Sequence, residues 1–187
     1  MRRTKYLTGL AVAGVGAAVW AAVAFGATAS HQSGITVRAL DKGISFAPNK
    51  YIQDNMGFAP GTVTVASGSS LTFTYGGKPS QEPHTLTIVK RSDLPRTGSQ
   101  VENCKPCQHY ATPHLKNPKA PPGEGNPIVH WELNTGQPGI DTVGDSIAIQ
   151  SPGPHKSITV EVTAPSGTTL YLLCAVHPWM QGKIVVK

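Results

Sequence analysis

The stretch Tyr171-Leu-Leu-Cys174-Ala-Val-His177-Pro-Trp-Met180-Gln-Gly-Lys183-Ile-Val-Val-Lys187 combines two kinds of information. It lies across two runs with strand character, Thr169 to Cys174 and Lys183 to Val186, and the link between them carries a thiol, an imidazole and a thioether at Cys-x2-His-x2-Met spacing. Side chains on a strand alternate between its faces, so Leu170, Leu172 and Cys174 share one side and the thiol points inward at the end of its strand. Just upstream, Ala164-Pro165-Ser166-Gly167 reads as a turn. It joins two antiparallel strands, this one and Ile158 to Val162, in which Ile158, Val160 and Val162 oppose Thr159 and Glu161.

The same pattern recurs earlier, at Ile35 to Leu40, Thr62 to Val65, Leu71 to Tyr75 and Thr85 to Val89. Leu71, Phe73 and Tyr75 lie opposite Thr72 and Thr74, as a strand with one buried side requires. With 20 Gly, 16 Pro and only 14% charged residues, the composition favours turns and short strands over long helices. Seven such strands predict an all-β fold, a β-sandwich. A length of 187 residues suits one domain with appendages. Residues 91–150 differ in kind: they carry eight prolines and few apolar runs, and read as a Pro-rich insertion before the last strands. No internal repeat is evident.

Cys174, His177 and Met180 supply three soft or borderline donors, and a second histidine is needed to complete a set. His84, in Glu82-Pro83-His84-Thr85-Leu86, is the candidate, because it shares its strand face with Leu86 and Ile88 and so points inward. His84 opens its strand and Cys174 closes its own, so antiparallel strands place both at one pole of the sandwich. Two imidazoles, a thiolate and a weak axial thioether form the ligand field of a blue copper site, since thiolate and thioether favour Cu(I) while imidazole serves both oxidation states. Zinc is the chemical competitor but rarely recruits Met.

On these residues the chain resembles the cupredoxins of the plastocyanin and azurin superfamily. The Cys-x2-His-Pro-aromatic-Met segment followed by Gly182-Lys183-Ile184-Val185-Val186 is most similar to the ligand loop and final strand of amicyanins. The resemblance covers approximately residues 35–90 and 155–187. It implies a Greek-key β-sandwich holding one type 1 copper, with His84, Cys174 and His177 as equatorial ligands and Met180 as the axial one. Residues 91–150 depart from it, because amicyanins connect the first His to the Cys far more briefly. Electron transfer is then the expected use, with His177 beside Pro178 and Trp179 as the exit and redox proteins as partners. Copper acquisition or delivery is the alternative. A multicopper enzyme is not expected, because no His-x-His pair occurs.

Within residues 91–150, Cys104-Lys-Pro-Cys107 admits several readings. A disulfide leaves Cys174 as the unpaired thiol among three cysteines. A thioredoxin-like motif lacks its βαβ context, and haem attachment lacks a His directly after Cys107. A second metal site with His109 or His114 is the remaining reading. His31, His130 and His155 lack ligand-spaced neighbours, and Asp141 and Asp145 resemble a turn more than a catalytic pair.

The N-terminus carries Met1-Arg-Arg-Thr-Lys5, an apolar run from Tyr6 to Gly26, and Ala27-Thr28-Ala29 as a cleavage site. Residues 1–29 therefore read as a signal peptide, and residues 30–187 as the exported domain, periplasmic or extracellular. A retained anchor is the alternative and would tether the domain to the membrane. Removing the three basic residues of that segment from the 16 Lys and Arg leaves 13 against 10 acidic residues, scattered without a basic stripe. Nucleic-acid binding is not expected, and the domain is read as a monomer.

Overall fold

The computed structural model describes residues 34–76, 82–120 and 125–187. The proposed signal segment 1–29 and His31 lie outside the described residues. The described strands are β1 (Ile35–Leu40), β2 (Ile44–Ala47), β3 (Tyr51–Asp54), β4 (Gly57–Ala59), β5 (Thr62–Val65), β6 (Ser69–Gly76), β7 (His84–Val89), β8 (Glu132–Leu133), β9 (Ser146–Ile149), β10 (Ser157–Val162), β11 (Thr169–Leu173) and β12 (Gln181–Val186). Two short helices, α1 (Gly98–Glu102) and α2 (Lys105–Ala111), lie between β7 and β8.

All seven expected strands form. The chain is mostly β, with a four-stranded sheet ordered β10-β6-β1-β4 and a six-stranded sheet ordered β5-β12-β11-β7-β9-β8. Consecutive strands pass repeatedly between the two sheets, the Greek-key wiring anticipated above. The predicted inward residues Leu71, Phe73, Val160 and Val162 join Leu86, Ile88, Leu170, Leu172 and Ile184 in one core between the sheets. The turn after β10 forms, but it links the two sheets and does not join paired neighbours: β10 pairs with β6, and β11 pairs with β12 and β7. Thr168 N–H donates to the Pro165 carbonyl at 3.1 Å, and Gly167 has φ +88°, a left-handed conformation that glycine adopts without steric cost. The hairpin β2–β3 belongs to neither sheet and leaves Ile44, Phe46 and Ile52 exposed.

The insertion requires a correction at its C-terminal boundary. Ser146–Ile149, inside the stretch read as insertion, is a fully buried strand that pairs antiparallel with β7 (His84↔Ile149, Leu86↔Ile147). Its four residues are too few to show a period in sequence. Part of the rest of the stretch covers the second face of the six-stranded sheet, while β8 adds a short strand at its edge. Every residue of β7 is buried, and in β11 the consecutive Leu172 and Leu173 are both buried, so the central strands of this sheet are buried on both faces and need a cover. Helix α2 supplies one: Cys107, Tyr110 and Ala111 lie on one helical face and pack with Val89, Leu173 and Ala175. Pro106 is accommodated in its first turn, and the Cys104 sulfur caps it by accepting from Cys107 N–H at 3.2 Å.

Candidate metal centre

Strand pairing determines which candidate ligands meet. β7 and β11 run antiparallel, with Tyr171 opposite Val89, Leu172 opposite Ile88 and Leu173 opposite Thr87. The start of β7, at His84, therefore lies at the same pole as Cys174, one residue beyond the end of β11. The link from Cys174 to β12 closes on itself: Cys174 N–H donates to the Met180 carbonyl at 3.0 Å, and Met180 N–H donates to the His177 carbonyl at 2.8 Å. These bonds bring His177 back over the pole and bury Met180 completely in the core that contains Cys174.

The outcome is a compact donor cluster. The ligand atoms of His84, Cys174 and His177 all lie within 4.8 Å of one another, and all three residues are buried. His177 Nδ1 faces the Cys174 sulfur at 3.6 Å. Among the described residues this is the only such group of His, Cys and carboxylate side chains.

The electrostatics favour a thiolate. Burial by itself pushes the Cys174 thiol up, but the His177 and His84 imidazoles facing the sulfur outweigh it and bring its pKa down to about 5. Thr85 N–H also donates to this sulfur at 3.4 Å. Burial works against a charged His177 ring, yet the thiolate and Glu82 beside it raise its pKa. His84 differs from both. Its ring is fully buried and neither nitrogen has a hydrogen-bond partner, which is costly for a polar group. A metal ion accepting a lone pair from one of those nitrogens would relieve that cost. With a thiolate and two imidazoles in one place, and Met180 buried in the same core as Cys174, the residues fit a single copper ion.

No family model matches the sequence, and no curated protein matches it. Solved structures do. The chain is similar to solved structures of an auracyanin, a plastocyanin and an amicyanin. Auracyanin A from Chloroflexus aurantiacus, described as a blue copper protein, shares 21% identity over 83% of this chain and 100% of its own, with a TM-score of 0.41. Oxidised plastocyanin from Dryopteris crassirhizoma shares 18% over 81% of this chain and 99% of its own, with a TM-score of 0.37. A Cu(I) amicyanin mutant shares 14% over 71% of this chain and 75% of its own, at 0.35.

The remaining candidates fall outside the cluster. Cys104 and Cys107 form a disulfide, which removes them as ligands of a second metal. His114 is buried, with Nδ1 donating to the His130 carbonyl at 2.6 Å and Nε2 facing Ser146 Oγ at 2.7 Å, so both its nitrogens are engaged in structure. Asp145 is fully buried and accepts from the N–H groups of Thr135, Asp141 and Thr142, the work of a loop anchor. Trp131 stacks on His155 at 4.2 Å.

Two contributors escaped the sequence reading. Thr85 Oγ1 accepts from Ala175 N–H at 2.8 Å and so ties the start of β7 to the ligand loop. Glu82 Oε2 lies 3.0 Å from His177 Nε2. Both flank His84 in sequence, which was the one available signal. Trp179 packs edge-on to the His177 ring at 5.4 Å and is 39% exposed. It also borders a cleft of about 810 Å³ lined by Ala175 and Pro178 of the ligand loop and by Cys107, Ala111 and Leu115. The covering segment thus shapes the surface beside the ligand loop.

Proposed function

We propose that this chain is a type 1 copper protein that carries electrons outside the cytoplasm, cycling between Cu(I) and Cu(II) and passing electrons to and from redox proteins without transforming a substrate. The observation that carries the proposal is the buried convergence of the Cys174 thiolate with His84 and His177, His84 having both ring nitrogens unpartnered. His84, Cys174 and His177 would hold the metal, with Met180 as the axial donor, and copper would supply a one-electron couple.

The chain's own contribution is restraint. His84 comes from a strand buried along its whole length, and the loop from Cys174 to Met180 is closed by two backbone hydrogen bonds. A packed interior transmits strain, so neither ligand has room to rearrange when the charge changes. That is what a fast carrier needs.

Export is supported by the Cys104–Cys107 disulfide, which suits an oxidising compartment, and by the basic and apolar N-terminal sequence. No helix among the described residues is long and apolar enough to cross a membrane. Absorption and spin-resonance spectra of the copper-loaded protein test the proposal. One copper per chain with intense, reversible visible absorption is expected. A colourless Cu(II) form overturns the type 1 reading, and rapid loss of copper to weak chelators replaces electron transfer with copper delivery.

A further inference from the structure

A histidine that binds a metal through one ring nitrogen has a second nitrogen to satisfy, and its partner there fixes the tautomer and the ring's orientation. His177 depends on such a partner more than His84 does, because it sits in a loop whereas His84 sits in a strand. Its Nε2 lies 3.0 Å from Glu82 Oε2, and its Nδ1 faces the cluster. A carboxylate oxygen only accepts, so Nε2 carries the hydrogen and Nδ1 is the atom left for the metal.

Glu82 is itself held in place. Its carbonyl accepts from the Tyr75 hydroxyl at 2.8 Å, Pro83 restricts the backbone that follows, and His84 then enters β7. Tyr75 also packs edge-on to the His84 ring at 5.5 Å. The short segment Glu82-Pro83-His84 thus delivers one ligand and the outer partner of another. The Glu82 side chain remains 57% exposed, at the outer edge of the His177 ring.

We infer that Glu82 is a positioning residue of the metal centre: its carboxylate holds the His177 ring through Nε2–H, presents Nδ1 to the metal, and places a negative charge at the outer edge of that ligand. The inference rests on the copper reading above. Two consequences follow. Losing the carboxylate frees the ring to turn and weakens Cu(II) binding. Losing only its charge removes a preference for the more positive ion, so the reduction potential rises.

The test compares Glu82→Ala, which removes the hydrogen bond and the charge, with Glu82→Gln, which keeps an acceptor and removes the charge. Glu102→Gln, at an exposed carboxylate bordering the cleft beside the ligand loop, is the control for general charge effects. Copper-loaded proteins are measured for midpoint potential and, by competition, for Cu(II) affinity. Copper-free proteins are examined at alkaline pH by long-range proton–nitrogen NMR of His177. For Glu82→Ala, a loss of about 10- to 100-fold in Cu(II) affinity, a raised potential and loss of the pure Nε2–H tautomer are expected. Glu82→Gln should raise the potential while keeping that tautomer, and Glu102→Gln should match the wild type. Wild-type potential, affinity and tautomer in Glu82→Ala overturn the inference, as does an equal rise in potential in Glu102→Gln. A wild-type chain that takes up no copper refutes the copper reading instead, and the NMR comparison still reports whether Glu82 holds the ring.

Discussion

Replacing Thr85 by Val tests how the metal pole is held. Valine keeps the branched shape that suits a strand and exchanges the hydroxyl for a methyl group. Thr85 Oγ1 accepts two hydrogen bonds, from Ala175 N–H at 2.8 Å and from the Thr87 hydroxyl at 3.0 Å. Thr87 keeps a second contact, with Ser146 Oγ at 2.7 Å, so Ala175 N–H is the group left orphaned. Ala175 is 6% exposed, which keeps water away from it. A buried donor without a partner costs about 1–3 kcal/mol, and about 2 kcal/mol lowers the melting temperature of a chain this size by about 4–8 °C. Urea denaturation of the copper-free protein should show a lower midpoint at an unchanged slope. Thr85→Ser keeps the acceptor and loses about one buried methyl group, worth about 0.8 kcal/mol. A Thr85→Val protein as stable as the wild type, or no less stable than Thr85→Ser, would refute the claim that this hydroxyl anchors the ligand loop.

Removing the Cys104–Cys107 disulfide as a double Ser variant should cost about 2 kcal/mol of stability, the chain-entropy value for a sequence separation of 3, read as a lower urea midpoint; the copper spectrum should persist, because neither cysteine belongs to the donor cluster. Burial lowers the pKa of His114 below its ordinary 6.5, so the unfolded chain takes the proton first. Its contribution to stability should therefore be complete above pH 6.5 and decline as the pH falls below it, and stability measured across that range should lose part of its slope in His114→Gln. Met180→Leu, at a fully buried position beside Cys174, should leave copper bound while shifting the reduction potential; an unchanged potential would rule out an axial role.

The half-buried strands were readable from sequence because alternation is a local property. Leu71, Phe73 and Tyr75 announce their face without reference to any neighbour. β9 and the covering role of α2 were not, for the opposite reason. Ser146–Ile149 is buried on both faces, so nothing alternates, and its identity as a strand depends on pairing with β7, some 60 residues away. Leu172-Leu173 hinted that β11 has two buried faces, but a pair of leucines does not say what covers the second one.

At the metal centre, sequence determined the donor types, their spacing in Cys174-x2-His177-x2-Met180, and the inward facing of Cys174 and His84, since each follows from the period of a strand or the length of one loop. Tertiary structure decided the rest. The antiparallel register of β7 against β11 brings the three ligand atoms within 4.8 Å of one another, and Thr85 and Glu82 gain their roles through contacts across 90 and 95 residues. Contacts at that separation exist only once the sheets have paired, because a hydrogen bond depends on distance and angle in space and leaves no period along the chain.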